Sequence, residues 1–440
     1  MKPTSMRKAL LMGAAGACQL ALLLSPSLIG RAEAQTLEKF AALPADTFAP
    51  GPTSGQFIAP ANGRTPPFSH KQPVQGVSSV LRASNGDFLV MSDNGFGAKS
   101  NSADYVLRVY RVDPSFRTRS AGPGTITVES FFTLRDPRRQ VSFPIVADLA
   151  TYPNGTGTVP VDAQIREKKL LTGSDFDIES FRQAPDGTYW FGDEFGPFLL
   201  HTDATGRVLE APFPLPGVQS PDNPFLGSAT PNLPRSKGFE GMAITPNGKR
   251  LYPMLEGSLT TDLDQRRLLI NEFDLRKKAY TGRQWSYRLE ALSTSGQAIG
   301  DFTALSNHDF LVIERDGGQG PTALFKKVFL VNLAEVDASG FLVKREVVDL
   351  MNIPDPHDVG GTGTGVFTFP FVTIESVIPL SERRIGVLND NNYPGSSGRT
   401  AGQPDNNEFI VIKLDEPLPG GGGHGHDEDD DDDGGHEERR

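Results

Sequence analysis

The stretch TGSDFDIESFRQAPDGTYWFGDEFG, residues 172–196, has the pattern of a β-hairpin with carboxylates at its open end. Two runs rich in apolar and aromatic residues flank a Pro-Asp-Gly turn at 185–187. Proline fixes φ and glycine tolerates positive φ, so this tripeptide favours a tight turn. A hairpin brings the start of its first strand beside the end of its second, and Glu179 and Asp193 are therefore expected to emerge together. Two neighbouring carboxylates repel each other unless a cation, a shared proton or a basic ligand compensates.

The same order of acid, turn and acid recurs along the chain, which indicates an internal repeat. One copy departs from the pattern because Ser78 occupies its first acidic position, although Asp93 occupies the second. The further copies are GVSSVLRASNGDFLVMSDNG (76–95), FEGMAITPNGKRLYPMLEG (239–257), IGDFTALSNHDFLVIERDGG (299–318) and TIESVIPLSERRIGVLNDNN (373–392).

Segments of strand-like composition follow each copy and predict two outer strands per unit. Radial repetition of four-stranded antiparallel sheets is the architecture of a β-propeller. We therefore predict an all-β chain with six blades, the sixth within residues 96–172, and with five or seven blades as alternatives. The last clear strand, at 408–414, is expected to pair with N-terminal residues and close the ring.

The sequence divides into a signal peptide at 1–34, a propeller domain at 35–415, and a Gly-rich linker with an acidic, His-containing tail at 416–440. A basic start, an apolar run and Ala-Glu-Ala before Gln35 are typical of a cleaved secretion signal. A secreted or periplasmic protein is therefore expected, with a membrane anchor or a lipoprotein as less favoured alternatives. The single cysteine, Cys18, lies in the signal segment, so no disulfide is expected in the mature chain.

Charge and missing motifs exclude several classes of function. The formal net charge is −11 and the sequence holds no basic patch, which argues against nucleic-acid binding. We expect a monomer that has no membrane span in its mature chain and acts on a small-molecule ester or phosphoester. The sequence also lacks a G-x-S-x-G nucleophile elbow and an H-E-x-x-H zinc signature. A hydrolase of this sequence is therefore expected to use metal-activated water and a carboxylate base.

The open ends of the hairpins would face one side of a propeller channel, so the repeated acids are expected to form a ring there. Their oxygens suit a hard divalent cation, Ca²⁺ before others, whereas the alternative is that single acids cap strand ends or pair with arginines. The predicted metal ligands are Asp93, Glu179, Asp193, Glu240, Glu256, Glu314, Glu375 and Asp390. The predicted catalytic residues are Glu179, Asp193 and Glu240. The predicted substrate-binding residues are Lys99, Arg182, Lys237 and Arg315.

An ordered set of motifs resembles the phytase-like family, also described as esterase-like activity of phytase. The motifs are DNGFGAKSNSADYVLRVYRV (93–112), DFDIESFRQAPDGTYWFGDEFGPFLL (175–200), KGFEGMAITPNGKRLYPMLEG (237–257), IGDFTALSNHDFLVIERDGG (299–318) and IESV…LNDNNYPGSSGR (374–399). The resemblance covers nearly all of residues 70–415. It implies a β-propeller and a hydrolase that acts on phosphate or other esters. It supplies no settled catalytic residues, so the site residues above depend on the hairpin pattern.

These observations favour a secreted hydrolase that cleaves phosphate or other esters with metal assistance in an acidic central channel. A non-catalytic propeller that is stabilised by Ca²⁺ and binds a ligand or partner is one alternative. A lactonase-type hydrolase of sugar acids is another, and it depends on fold analogy alone.

Overall fold

Strands provide nearly all of the regular structure in residues 35–153 and 157–420, the part of the chain that this computed structural model describes. The predicted signal peptide and the acidic portion of the predicted tail lie outside the described residues. One α-helix, α1, covers Ala163–Lys168, and 3-10 helices cover Ser84–Gly86, Val146–Asp148 and Gly320–Thr322. Within the described ranges, the helices are too short to cross a bilayer.

Most strands form five antiparallel units of four strands, here called blades 1 to 5. Blade 5 takes its fourth strand, β1, from the N-terminal end of the described chain. Blade 1 consists of β4 (Val77–Arg82), β5 (Phe88–Ser92), β6 (Arg108–Ser115) and β7 (Thr125–Thr133). Blade 2 consists of β8 (Ile178–Gln183), β9 (Tyr189–Asp193), β10 (Phe198–Thr202) and β11 (Phe213–Pro214). Blade 3 consists of β12 (Phe239–Ile244), β13 (Arg250–Leu255), β14 (Arg267–Asp274) and β15 (Ala279–Arg288). Blade 4 consists of β16 (Ala298–Ala304), β17 (Asp309–Arg315), β18 (Lys326–Val336) and β19 (Leu342–Asp349). Blade 5 consists of β22 (Thr373–Ser381), β23 (Arg384–Asp390), β24 (Asn407–Lys413) and β1 (Thr36–Leu43). Two small sheets pair β2 (Phe48–Pro50) with β3 (Lys71–Pro73), and β20 (Ile353–Pro354) with β21 (Val366–Phe367).

The described residues thus form five blades, not the six that we predict from the sequence. Residues 108–133 supply the outer strands of blade 1, and the segment that follows them adds no four-stranded sheet in the part of it that is described. Instead this segment covers the core between blades 1 and 2, where Val141, Ile165 and Leu171 pack in one cluster with Phe176. Its apolar residues therefore fill an interface and do not make strands.

The inner strands close into a ring through one position that recurs on each blade. Ser79 Oγ of blade 1 accepts a hydrogen bond from Phe181 N of blade 2 at 3.4 Å. The equivalent residues of the other blades contact the next blade in the same way. These contacts are Ser180 Oγ to Phe239 O (3.4 Å), Gly241 against Phe302, Asp301 Oδ2 to Val377 N (2.9 Å), and Ser376 Oγ back to Val77 O of blade 1 (3.4 Å). The cycle returns to its start after five blades, and this radial closure is that of a β-propeller.

The N-terminal strand completes the last blade, as the sequence predicts. Strand β1 runs antiparallel to β24, from Thr36 opposite Lys413 to Leu43 opposite Asn407. It also meets β7 in one parallel pair, Ala42 with Thr125, and so joins blades 1 and 5 into a continuous eight-stranded sheet. Because β1 lies between β24 and β7, neither of these outer strands keeps a free edge for pairing with other chains.

Aromatic packing at this closure gives a first prediction. Phe409 on β24 is fully buried, and its ring lies edge-on to Phe88 at 4.9 Å and to Phe116 at 5.2 Å between centroids. Phe409→Leu keeps most of the apolar volume but loses both aromatic contacts, so we expect a loss of about 1–2 kcal/mol in unfolding free energy. Chemical denaturation measures this, with the exposed Leu324→Ala as the control. Equal stability of the two variants would contradict the prediction.

Candidate functional site

A β-bulge occurs at the same level of each inner strand and decides which side chains reach the axis. The strand pairing skips one residue between Val77 and Ser79, and likewise in the other four blades. The skipped residues are Ser78, Glu179, Glu240, Gly300 and Glu375. Bulges re-aim side chains and are frequent beside functional sites. Three of the predicted acids, Glu179, Glu240 and Glu375, therefore occupy equivalent positions, whereas Gly300 leaves blade 4 without one.

A second set of side chains comes from the neighbouring strand of each hairpin. The residue just before each bulge pairs with a residue of that strand, as Ile178 does with Asp193 and Ile299 with Glu314. The residue that follows this partner in the sequence lies beside the bulge residue. This position holds Asp93, Glu194, Glu256, Arg315 and Asp390 in blades 1 to 5. Four acids and one arginine thus face the acids of the bulges.

Asp193 and Glu314, both predicted as metal ligands, lie one residue away from this position and point elsewhere. Asp193 accepts hydrogen bonds from Asp177 N (2.9 Å) and Gly196 N (2.8 Å), so each of its oxygens is bonded to a backbone N–H group. Glu314 accepts from Tyr287 Oη and Lys344 Nζ, each at 2.7 Å, on the outer side of the ladder. The structure does not bring these two carboxylates to the others, because neighbouring residues of a strand face opposite sides.

Two groups of carboxylates are close enough to share a cation, and they have Glu194 in common. Within each group, one oxygen per residue lies within 4.8 Å of the others. Their members are Asp177, Glu179 and Glu194 in the first group, and Glu194, Glu240 and Glu256 in the second. We call these five residues the acidic cluster. Asp177 is not among the residues that we predict from the sequence, although the alternation Asp175, Asp177, Glu179 at the start of β8 could have signalled it.

Two oxygens of the acidic cluster have no hydrogen-bond partner within the described chain. They are Asp177 Oδ1 and Glu194 Oε1, and both are shielded from solvent. A buried carboxylate oxygen without a donor is costly, since it has lost water and gained nothing. A bound cation would remove that cost for both residues at once.

Three other predicted acids already accept hydrogen bonds from donors of the protein. Asp93 accepts from Gly95 N at 2.8 Å, and Asp390 accepts from Asn392 N at 2.7 Å. Glu375 accepts from Ser78 Oγ at 3.0 Å and from Arg315 at 3.1 Å. These three residues line the axis, yet they have less need of a metal than Asp177 and Glu194.

Two cations partly neutralise the site. Arg315 Nη2 lies 3.5 Å from Glu240, 3.5 Å from Glu256 and 3.1 Å from Glu375. Lys237 pairs with Glu256, and although burial disfavours the charged amine, Glu256 and Glu194 raise the pKa of Lys237. Both side chains contact the acids, so the structure places them as counter-charges of the site.

Arg182, predicted to bind substrate, is used within the protein. Its Nη1 donates to Ser79 Oγ at 2.8 Å and to Phe181 O at 2.7 Å. Its Nη2 donates to Asp301 Oδ1 at 2.9 Å and to Phe302 O at 3.0 Å. With a side chain only 4% exposed, Arg182 ties blades 1, 2 and 4 together and does not reach the acidic cluster.

A cleft of about 610 Å³ adjoins the acidic cluster. Phe195, directly after Glu194, and Ser236, directly before Lys237, both line it. Lys99 also lines it, with Nζ 3.1 Å from Asp222 O and 5.0 Å from the centroid of the Phe195 ring. The remaining wall is mixed: Phe143, Pro144 and Leu149 are apolar, whereas Asp175, Asp222 and Arg235 are charged. Lys99 therefore offers a cationic contact beside apolar surface.

Burial and mutual repulsion raise the pKa values of the axial carboxyls. Burial and, second, repulsion from Asp177 raise the pKa of Asp93 to about 8. Burial and, second, repulsion from Asp390 raise the pKa of Glu375 to about 8. Burial and then a neighbouring acid also raise the pKa of Glu179, Glu194 and Glu240 well above the usual range. Such shifts are typical of functional sites.

These shifts predict that the metal-free protein is less stable in alkali. The folded chain binds protons on Asp93 and Glu375 more tightly than the unfolded chain does, so stability falls as the pH rises from about 4 to about 8. We expect chelator-treated protein to melt several degrees lower at about pH 8 than at about pH 5.5. Scanning fluorimetry over this range measures the slope, and a melting temperature that rises throughout would contradict the prediction.

A comparison of the chain with family models confirms the resemblance that the sequence motifs indicate. A family model described as esterase-like activity of phytase matches residues 72–393. The chain belongs to the phytase-like family. The match begins just before blade 1 and ends just after β23, so it includes all five acids of the acidic cluster.

Other comparisons identify more distant similarities. An uncharacterized secreted protein of Arthroderma benhamiae is 24% identical over 212 residues, which are 40% of this chain and 40% of that protein. The chain therefore aligns with about two fifths of the length of this curated relative. Among solved structures, an endo-arabinanase from Bacillus licheniformis is 9% identical with a TM-score of 0.35, covering 76% of this chain and 92% of that one. A regucalcin from Agrobacterium tumefaciens is 13% identical with a TM-score of 0.31, covering 77% and 78%. These TM-scores are low, and the likenesses say nothing about ligand or reaction.

Proposed function

We propose that this protein is a secreted hydrolase that cleaves phosphate or other esters with the help of a divalent cation bound by the acidic cluster. The observation that carries this proposal is the pair of unpartnered, buried oxygens on Asp177 and Glu194 within two groups of closely spaced carboxylates. Membership of the phytase-like family supports the reaction class. The secretion pattern of residues 1–34 and the name of the fungal relative support export.

Either group of three carboxylates in the acidic cluster would hold a cation, and their oxygen-only chemistry favours Ca²⁺. A bound divalent cation polarises an ester oxygen and lowers the pKa of water. Burial raises the pKa of Glu179 and Glu240 well above the usual range, and a carboxyl group with a raised pKa suits a role in proton transfer. Asp193 holds the backbone at 177 and 196, so we assign it a positioning role and not a chemical one.

The cleft beside the acidic cluster would hold the substrate. Lys99 and Arg235 are basic residues of its lining, and Arg235 already pairs with Asp222. A single phosphate or carboxylate beside Lys99 therefore fits better than a densely charged polyphosphate. Lys237 directly follows Ser236 of the lining and pairs with Glu256, so it would attract the anionic end toward the cation.

Metal removal tests the proposal. Mature protein from Gln35 is stripped with chelator and assayed with p-nitrophenyl phosphate, bis-p-nitrophenyl phosphate, p-nitrophenyl acetate, phytate and a sugar lactone, before and after addition of Ca²⁺, Mg²⁺ or Mn²⁺. We expect turnover of at least one ester to disappear with chelator and to return with metal. Hydrolysis of the lactone alone would favour the lactonase alternative.

A melting curve on the same samples separates catalysis from structural metal binding. If the cation raises the melting temperature while none of the substrates is turned over, the hydrolase proposal is wrong and a metal-stabilised binding propeller is the better description. If neither stability nor turnover responds to metal, the acidic cluster does not bind one. N-terminal sequencing of the exported protein tests cleavage before Gln35.

A further inference from the structure

A second cleft, of about 880 Å³, lies on the outside of blade 1 and is separate from the acidic cluster. Its lining comes from β2, β6, β7 and α1, so it is formed where the outer strands of blade 1 meet the segment that replaces the predicted sixth blade. Residues that matter for its chemistry are His70, Arg108, Phe131, Arg135 and Lys168.

Arg108 is a buried cation with no carboxylate partner. The residue is 3% exposed, and its Nη2 donates to Pro50 O at 2.9 Å. Its Nε and Nη1 have no hydrogen-bond partner, and none of the ion pairs formed within the described ranges includes it. The guanidinium stays charged at any ordinary pH, so burial without a counter-ion is costly. The other arginines that are buried among the described residues, Arg182 and Arg315, both meet carboxylates of the protein.

The surroundings of Arg108 favour an anion that enters from outside. Arg135 is held at the cleft by Thr205, to which it donates two hydrogen bonds at 3.0 and 2.9 Å. Lys168 adds an exposed cation, and Glu167 is the acid of the lining. A guanidinium offers a planar set of donors that matches carboxylate or phosphate oxygens.

The remaining lining is mixed, with His70, Thr133, Gln164 and Thr205 as polar residues beside an apolar wall. Phe132, Leu170 and Pro52 contribute to it, and the Phe131 ring covers the Arg108 guanidinium at 4.1 Å from its centroid. Phe131 is 37% exposed, so it is the side chain that must turn aside to admit a ligand to Arg108. The apolar wall would then contact the body of that ligand.

We propose that this outer cleft binds a small organic anion, a carboxylate or a phosphate monoester with an aromatic or aliphatic body, whose oxyanion pairs with Arg108. The site is independent of the proposed hydrolase site, since no residue is shared between the two clefts. Ligand binding in the outer cleft can therefore be tested even if the acidic cluster is not catalytic.

Titration of mature protein with phenyl phosphate, phenylacetate, inorganic phosphate and benzyl alcohol tests the proposal by calorimetry and saturation-transfer NMR. Glu194→Gln protein is used, so that turnover at the acidic cluster does not consume phenyl phosphate. We expect at least one of the two aromatic anions to bind with a submillimolar Kd, and inorganic phosphate and benzyl alcohol to bind at least ten-fold more weakly. Binding of phenyl phosphate but not phenylacetate would identify a phosphate ligand, and the reverse a carboxylate. Equal affinity for inorganic phosphate would overturn the role of the apolar wall, and failure of both aromatic anions to bind would overturn the site.

Variants locate the binding. Arg108→Gln should weaken the aromatic anion at least ten-fold, and Arg135→Gln with Lys168→Gln should weaken it several-fold and reduce its salt dependence. Arg111→Gln is the matched control, because Arg111 lies on the same strand but pairs with Asp87 outside the cleft. If Arg108→Gln does not fold, the double variant Arg135→Gln with Lys168→Gln decides whether the anion binds in this cleft. Unchanged affinity in that double variant and in any folded Arg108 variant would overturn the proposal.

Discussion

Glu194→Gln is expected to lower kcat/KM for ester hydrolysis by about 100-fold or more, because Glu194 belongs to both carboxylate groups that could hold a cation. No other residue of the acidic cluster is shared in this way. The amide keeps the shape of the side chain but removes a ligand charge. Steady-state assays with the best ester from the metal panel measure the loss.

The fold should survive this change. Glu194 is buried among acids, and burial followed by Glu256 raises the pKa of Glu194, so a neutral side chain relieves repulsion. We expect the melting temperature in chelator to stay the same or rise, while the stabilisation by added metal shrinks. Together these two readouts distinguish a lost metal ligand from simple unfolding.

Two further variants sharpen the assignment. Glu375→Gln alters an axial acid that lies outside the acidic cluster and already accepts from Ser78 and Arg315, so we expect a smaller loss than for Glu194→Gln. Glu346→Gln alters an exposed acid that pairs with Lys327 on blade 4, and we expect no effect on turnover. Equal activity of the Glu194 variant and the Glu346 control would remove the acidic cluster from the mechanism.

Much of this architecture can be predicted from the sequence, because hairpins and their turns depend on local pattern. The five repeats with their turns become the inner strand pairs of five blades, and the last strand pairs with N-terminal residues as expected. The blade number could not be predicted, since residues 134–172 are long enough for strands and apolar enough for a core. Their packing against blades 1 and 2 shows that they supply core residues and not the strands of another blade.

The candidate site could be predicted as a region, but not residue by residue. A one-residue shift in strand register sends a side chain to the opposite face. The bulge on the first strand of each hairpin produces such a shift at Glu179, Glu240 and Glu375. On the second strand, alternation places Glu194 at the axis and turns Asp193 to the backbone, and it likewise places Arg315 at the axis and turns Glu314 outward. The repeat pattern alone reveals neither the bulge nor which residue of the Asp193-Glu194 pair faces the axis.

Arg182→Met is expected to produce the largest loss of stability, about 3–5 kcal/mol in unfolding free energy, because it leaves Asp301 as an unpaired buried carboxylate. The Arg182 and Asp301 side chains are 4% and 1% exposed and lie 2.9 Å apart, so little solvent screens the pair. Chemical denaturation of the metal-free protein measures the change. The matched control is Lys327→Met, which breaks the exposed pair with Glu346 and should cost at most about 1 kcal/mol.

The pH dependence of this loss identifies its cause. Burial raises the pKa of Asp301 even though Arg182 opposes the shift, so removal of the arginine should let Asp301 take up a proton more readily. The destabilisation by Arg182→Met should therefore be greater at about pH 8 than at about pH 5, where protonation neutralises the carboxyl. Asp301→Asn in the same background should recover part of the lost stability at the higher pH. A loss below about 1 kcal/mol, or one that does not change with pH, would mean that the backbone contacts between inner strands close the ring without help from this ion pair.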